Sequence, residues 1–448
     1  MGRRNGSGGV GVGHVSWQHA AVSKPSLKAG LIACLLSAAA ACGGGAEGPS
    51  STSSQSDAGS KTPDARADSA TTTRDAGIRD ASAPVEDSDH DAGGSSVDTH
   101  DTGASDAGGE GCVEFSMPPG LDCSAPGDGV LPKDLRCTGL YSDLAARKLA
   151  CGLLEYKPAY QLWSDGAEKR RWALIPAGKK IDVSDADAFV FPVGTKFFKE
   201  FRVKGSNGVE RMAETRLLQK SADGWIYTSY VWSEDEKSAT QMDNLLGVKD
   251  LYGTGHVVPN RDQCNECHGG RKDLILGWDA LLLGPGAEGV TRETLVSLGL
   301  VDSGAKLDLS IPGNDVEKAA LGYLHANCGI SCHNALPDSK ARDSGLYLRL
   351  EKGELTSVQT TDAFTTGMNK TPSANAKLDG LPTITGKWVG IRPTDPMRSL
   401  LVVRQKLRGV DGQMPRIATN VVDDKGVQLT TDWIKSMTTA AGYPAPAN

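Results

Sequence analysis

From about residue 159 to 233 the chain alternates apolar and polar positions with the period of two expected of strands. Residues 189–203 (FVFPVGTKFFKEFRV) keep this alternation around a Pro192-Val193-Gly194 turn. Residues 216–219 and 225–232 flank Ala222-Asp223-Gly224, which reads as a hairpin turn. The pattern predicts an antiparallel sheet with Trp163, Trp172, Trp225 and Trp232 in its core or on one face. A second use for these rings, lining a sugar or cofactor site, stays open at this point. Beyond the sheet region the period lengthens. A Pro259-Asn260 turn leads into a short helix carrying Cys264 to His268. Residues 291–300 read as a helix capped by Thr291, and 316–327 as an amphipathic helix. Residues 428–437 form a third, with Leu429, Trp433 and Met437 on one face at i, i+4, i+8. Upstream, 142–153 (SDLAARKLACGL) reads as a short helix inside a Pro-, Gly- and Cys-rich segment. The fold class expected is α+β, an antiparallel β-rich domain followed by a mainly α-helical part.

Composition changes this picture at the N-terminus. Residues 1–41 carry Arg3, Arg4, Lys24 and Lys28 before a short apolar run, Gly30 to Ala41, and read as an export signal. The run ends Ala39-Ala40-Ala41-Cys42-Gly43, which resembles a bacterial lipobox, with Ala39 where Leu is usual. Lipidation of Cys42 is the favoured reading, and cleavage after an Ala-x-Ala the other. Residues 42–111 are dominated by Asp, Ala, Gly, Ser and Thr, with repeated Asp-Ala-Gly and no aromatic residue. Such a stretch buries too little apolar surface to offset its conformational entropy, so a disordered tether is expected. As a Gly-rich coil of this length it has an r.m.s. reach of about 45 Å. Removing the signal's +4 and the tether's −10 from the chain's −7 leaves −1 for residues 112–448. The acidic bias belongs to the tether, and no basic stretch suggests nucleic acid.

The chemistry concentrates in the cysteines. Cys264-Asn265-Glu266-Cys267-His268 has the spacing of c-type haem attachment, two thiols one helical turn apart and then a histidine to ligate iron. Cys328-Gly329-Ile330-Ser331-Cys332-His333 repeats it with one extra residue. Zinc pairs normally sit about 12 to 20 residues apart, whereas 60 residues separate Cys267 from Cys328. A thioredoxin-like site needs a strand before its CxxC and no histidine after it. Haem c at both motifs is therefore the reading, with Cys264, Cys267, Cys328 and Cys332 as attachment thiols and His268 and His333 as iron ligands. The extra residue in the second motif leaves open attachment through one thioether. The pattern does not supply the other axial ligand of the first haem. His256, eight residues before Cys264, is the nearest candidate, and Met242 the next. The plain alternative for His256 is a turn histidine. His325 reads as a partly exposed helix residue. Cys112, Cys123, Cys137 and Cys151 remain, an even set that predicts two disulfides in an oxidising compartment, with three pairings open.

A helix ending in Tyr323-Leu324-His325-Ala326-Asn327-Cys328, a Cys/Cys-His site, a late Met414-Pro415 and a terminal Trp433-Ile434 helix resemble a class I cytochrome c domain. Upstream, Leu162-Trp163-Ser164-Asp165-Gly166, Phe191-Pro192-Val193-Gly194-Thr195, Tyr230-Val231-Trp232 and Pro259-Asn260-Arg261-Asp262-Gln263-Cys264 resemble a family of bacterial dihaem c-type cytochromes with a β-rich N-terminal region. The resemblance covers about residues 137–440 and implies Met414 as sixth ligand of the second haem. Together with the composition, this gives an expected order of parts: a signal at 1–41, the tether at 42–111, a disulfide-stapled β-rich domain at 112–250, a first haem segment at 251–310 and a cytochrome c-like second haem domain at 311–448. The function expected is electron transfer in the cell envelope to redox partner proteins, anchored to the inner or outer membrane through Cys42. A haem peroxidase or oxidase, and a module that docks a redox partner, are the competing classes. The lipid anchor is testable directly. Metabolic labelling with a palmitate analogue should mark the protein, and Cys42→Ala should abolish the label; label that survives the substitution contradicts the lipoprotein reading.

Overall fold

The computed structural model describes residues 112–447, apart from 125–128, 243–244, 375 and 379. The signal, the tether and Cys42 lie outside the described residues. A short hairpin, β1 (Tyr141–Asp143) and β2 (Lys148–Leu149), precedes a seven-stranded sheet. The sheet comprises β3 (Leu154–Lys157), β4 (Glu168–Leu174), β5 (Lys196–Lys204), β6 (Glu210–Ser221), β7 (Gly224–Trp232), β8 (Ala239–Gln241) and β9 (Glu288–Gly289). Its spatial order is β8-β7-β6-β5-β4-β3-β9, and every pairing is antiparallel. The hairpin expected at 222–224 joins β6 to β7, with Ser221 paired to Gly224.

Alternation along each strand decides which side chains go where. Trp172, Phe198, Leu217, Tyr230 and Trp232 project to one face and pack with Leu131, Leu135 and Leu140 of the entry segment. Two disulfides, Cys112–Cys151 and Cys123–Cys137, tie that segment down, with Cα separations of 5.4 and 5.3 Å. The structure thus selects one of the three pairings. Closing loops of this kind contributes roughly 3 kcal/mol for about 15 residues in the chain-entropy model. Ala173, Phe197 and Trp225 project to the other face, where Trp278, Leu283 and Leu295 join them. The sheet is therefore covered on both faces.

The α-helical part begins with α1 (Arg261–His268) and α2 (Arg292–Ser297). It continues through α3 (Asp315–Leu324), α4 (Asp362–Gly367), α5 (Leu400–Gln405) and α6 (Asp424–Ser436). Asn260, Thr291 and Asn314 cap α1, α2 and α3 through reciprocal capping boxes, which fixes where each helix starts. Helices α3 and α6 share a core with Leu321, Leu324, Trp433, Ile434 and Met437. Where they approach, the Tyr323 ring lies on Gly426, and a Cβ there would overlap it. Among the described residues no helix is long and apolar enough to cross a membrane.

Three local expectations are corrected. Residues 142–153 form the β1–β2 hairpin and its flank rather than a helix. Leu140, Tyr141 and Leu144 are drawn onto the sheet face, and the Cys151–Cys112 link holds the segment there. Residues 189–193 are not part of a strand. Only Val190 makes a bridge, to Asp182, and β5 starts after Gly194, whose φ of 93° suits glycine. Trp163 is off the sheet, its indole N–H donating to the Val421 carbonyl at 3.1 Å.

The α3–α6 approach can be probed by one methyl group. Gly426→Ala should cost about 1–3 kcal/mol, as overpacking of a filled site does, and lower the unfolding midpoint in urea. Unchanged stability would mean that the two helices do not meet at this point.

Candidate functional site

The Asn260 cap sets the register of α1, and the i, i+3, i+4 spacing then gathers Cys264, Cys267 and His268 on one face. Both thiols are free and half-buried. The His268 Nδ1–H donates to the Leu274 carbonyl at 2.6 Å. That bond sets the tautomer, with the lone pair on Nε2, the nitrogen available to a metal. Burial holds the imidazole down to about 4, against the opposing pull of the Leu274 carbonyl, so the ring is neutral at physiological pH.

The second motif reaches the same arrangement by a different backbone path. Helix α3 runs into a π-helical turn, His325–Gly329. Within it the Ile330 N–H bonds the His325 carbonyl at 2.9 Å, and the His333 N–H bonds the Cys328 carbonyl at 2.8 Å. Both are i→i+5 bonds, so the wider turn takes up the one extra residue between Cys328 and Cys332. Gly329 permits this, because a Cβ there would overlap the backbone of Leu348 and Arg349. The His333 Nδ1–H donates to the Leu346 carbonyl at 3.0 Å. Burial lowers the His333 pKa and raises those of Cys328 and Cys332 to about 12.

A single cavity of about 980 Å³ joins the two motifs, lined by all four thiols, both imidazoles and Met414. Its volume is at the upper end of the range of small-molecule sites, roughly 300–1,000 Å³. The segment just after the first motif packs against the second, since a Cβ on Gly270 would lie 2.7 Å from the Ser331 carbonyl oxygen. Met414 is held at the wall by backbone bonding. Its N–H donates to the Arg404 carbonyl at 3.0 Å, and Arg408 reaches its carbonyl at 3.3 Å. The β-region closes the rim, with the Asp165 carboxylate accepting from the Asn420 and Val421 N–H groups at 2.9 Å.

His256 lines the cavity and is buried, but its Nε2 is engaged by Glu214 Oε1 at 2.9 Å. Met242 packs in a separate cluster with Phe201, Ala213 and Leu251. His325 is buried, not partly exposed. Its Nδ1 accepts from the Leu350 N–H at 2.9 Å, and its Nε2 faces Asp279 at 3.4 Å. Sheet residues that sequence reasoning passed over also line the cavity, namely Arg171, Lys199 and Arg216. Only Lys199 carries a local signal, a charge between Phe197 and Phe201 two places away on either side; Arg171 has Lys169 and Arg216 has Glu214 in one of those positions. Arg216 donates to Glu214 at 3.0 and 2.6 Å. Burial alone would raise the Glu214 carboxyl, but Arg216 and His256 outweigh it and hold it at about 2.

Among the described residues, no group of three or more His, Cys, Asp or Glu side chains is arranged to hold a bare metal ion. Comparison with known proteins finds no match among family models, curated proteins or solved structures.

The buried Glu214 carries a pH signature. Its folded pKa of about 2 is below the ordinary 4.5, so its contribution to stability is present above 4.5 and is lost as pH falls through 2. Glu214→Gln leaves the Arg216 guanidinium without its carboxylate and should cost about 3–5 kcal/mol at pH 7. It should also flatten the acid limb of stability measured by urea unfolding. A variant as stable as the parent at pH 7 would contradict the pairing.

Proposed function

We propose that the protein is a dihaem c-type cytochrome that carries electrons in the cell envelope. The observation that carries this reading is the single cavity shared by both Cys/Cys-His motifs, with each histidine's Nδ1–H tied to a backbone carbonyl. The residues fit the group. Free thiols at the cavity wall are the nucleophiles that thioether attachment needs, and neutral imidazoles leave Nε2 for iron. Cys264 and Cys267 would hold one haem, with His268 as an iron ligand. Cys328 and Cys332 would hold the other, with His333 and Met414 as its iron ligands. Haem supplies a one-electron couple, and a thioether ligand raises its potential relative to bis-histidine ligation. The protein's part is to fix ring orientation, exclude water and keep the two groups close, since the segment after the first motif packs on the second at Gly270 and Ser331. The terminal helical part, with α3 and α6 packed around Trp433, supports a cytochrome c-like reading of that region. Redox partner proteins and a lipid anchor on Cys42 complete the proposal.

A second reading has one observation in its favour. His256, the nearest candidate for the first haem's remaining axial position, has its Nε2 committed to Glu214. An open position there, with His256 and Arg216 on the cavity wall, would suit a haem enzyme of the peroxidase or oxidase type.

Two measurements separate the readings. The intact mass of protein made with haem-maturation machinery should show two haems, and one or none contradicts the proposal. The oxidised protein should show the weak sulfur-to-iron charge-transfer band, and Met414→Ala should remove it and lower one midpoint potential. Absence of the band in the parent, together with peroxide turnover on the order of 10 s⁻¹, would replace the carrier by the enzyme.

A further inference from the structure

The sheet wall of the cavity carries a feature that the carrier reading does not use. In register, Arg171 of β4 lies opposite Lys199 of β5, and Lys199 lies opposite Arg216 of β6. Directly opposed residues of antiparallel neighbours project from the same face, and all three line the cavity. Like charges in that position destabilise a sheet, and burial adds the cost of desolvating each ion. Arg171 is 5% exposed, and the Arg216 side chain 21%. One carboxylate answers them, and it is shared: Glu214 accepts from Arg216 and also faces His256. Arg171 donates to the uncharged Gln161 at 2.8 Å. The Lys199 ammonium nitrogen sits 4.8 Å from the Phe201 ring centre, while Arg216 approaches the same ring at 4.4 Å. Contacts of that type return only about 0.5–2 kcal/mol. Lys169, one position along on the same face of β4, adds a further cation and donates to the Leu162 carbonyl at 3.0 Å. Burial, with Arg171 and Arg216 next in weight, pushes the Lys199 pKa far down.

We infer that the row Arg171–Lys199–Arg216 is an anion-binding site beside the first cysteine motif, taking a carboxylate or a small oxyanion. An anion there neutralises the excess positive charge of the wall and removes the repulsion between opposed strand positions. The row and the first motif line the same cavity, Arg171, Lys199 and Arg216 together with Cys264, Cys267 and His268. The carboxylate has two sources, a haem propionate or an anion from solution. The inference rests on the proposed function in placing haem at that motif.

The test uses the haem-loaded protein, titrated with sodium formate while the first haem's absorption and both midpoint potentials are followed. For a solution anion, formate shifts the first haem's spectrum saturably, and Lys199→Met raises the Kd at least tenfold, about 1.4 kcal/mol. For a propionate, formate has no effect, and Lys199→Met and Arg171→Gln each lower the first haem's potential while the second haem's potential stays. Haem present at the first motif, with neither response, overturns the inference and leaves the carrier reading standing. Haem absent there by mass sinks the carrier reading instead. Calorimetric titration of the same protein with formate then decides the row alone: heat that Lys199→Met abolishes supports it, and no heat overturns it.

Discussion

The chain just after the first cysteine motif packs directly on the second, and much of the molecule is arranged to allow it. Gly270 follows the first motif and faces the Ser331 carbonyl inside the second, where a Cβ would lie 2.7 Å away. Gly329, inside the second motif, is pressed against the backbone of Leu348 and Arg349 in the same manner. A side chain at either place would push the motifs apart or open the π-helical turn that absorbs the extra residue. The helical scaffold repeats the device at larger scale, with Tyr160 against Gly322 and Tyr323 against Gly426. Close approach of this kind leaves no room for relaxation in a densely packed interior.

The sheet answers a different constraint. An antiparallel sheet commonly leaves one face to water, but here the disulfide-tied entry segment covers one face and the cavity and its surrounding core cover the other. Covering both faces forces the inward-facing charges of β4, β5 and β6 into a buried wall. Glu214 is their main counter-charge, and it also holds His256. Arg271, next to Gly270 in the chain, forms a second buried polar cluster with Asp279 and His325. There, burial would raise the Asp279 carboxyl, but His325 and Arg271 bring it down to about 2.

The strands at 196–203 and 225–232, the 222–224 hairpin, the start of α1 after the Pro259-Asn260 turn and the Thr291 cap of α2 were legible in the sequence, because each rests on local alternation or on a turn or cap within four residues. So was the gathering of Cys264, Cys267 and His268 on one face of α1, which helical spacing alone produces. The segment 142–153 was misread for the same reason. Its apolar spacing suits a helix, but Leu140 and Leu144 gain more by packing on Trp172 and Trp232 across the sheet, and the Cys112–Cys151 link holds them there.

By itself, then, the sequence determined the α+β class, the separate composition of the first 111 residues and the presence of two Cys/Cys-His motifs, since all of these are carried by composition or short-range spacing. Only the tertiary structure decided that the motifs share one cavity, that the four other cysteines pair 112–151 and 123–137, and that His256 turns to Glu214. It also decided that Arg171, Lys199 and Arg216 stand in one row. Those facts depend on strand register and on contacts between residues far apart in the chain. Arg171 and Arg216, for instance, are brought onto one face by pairing through β5, which no local pattern encodes.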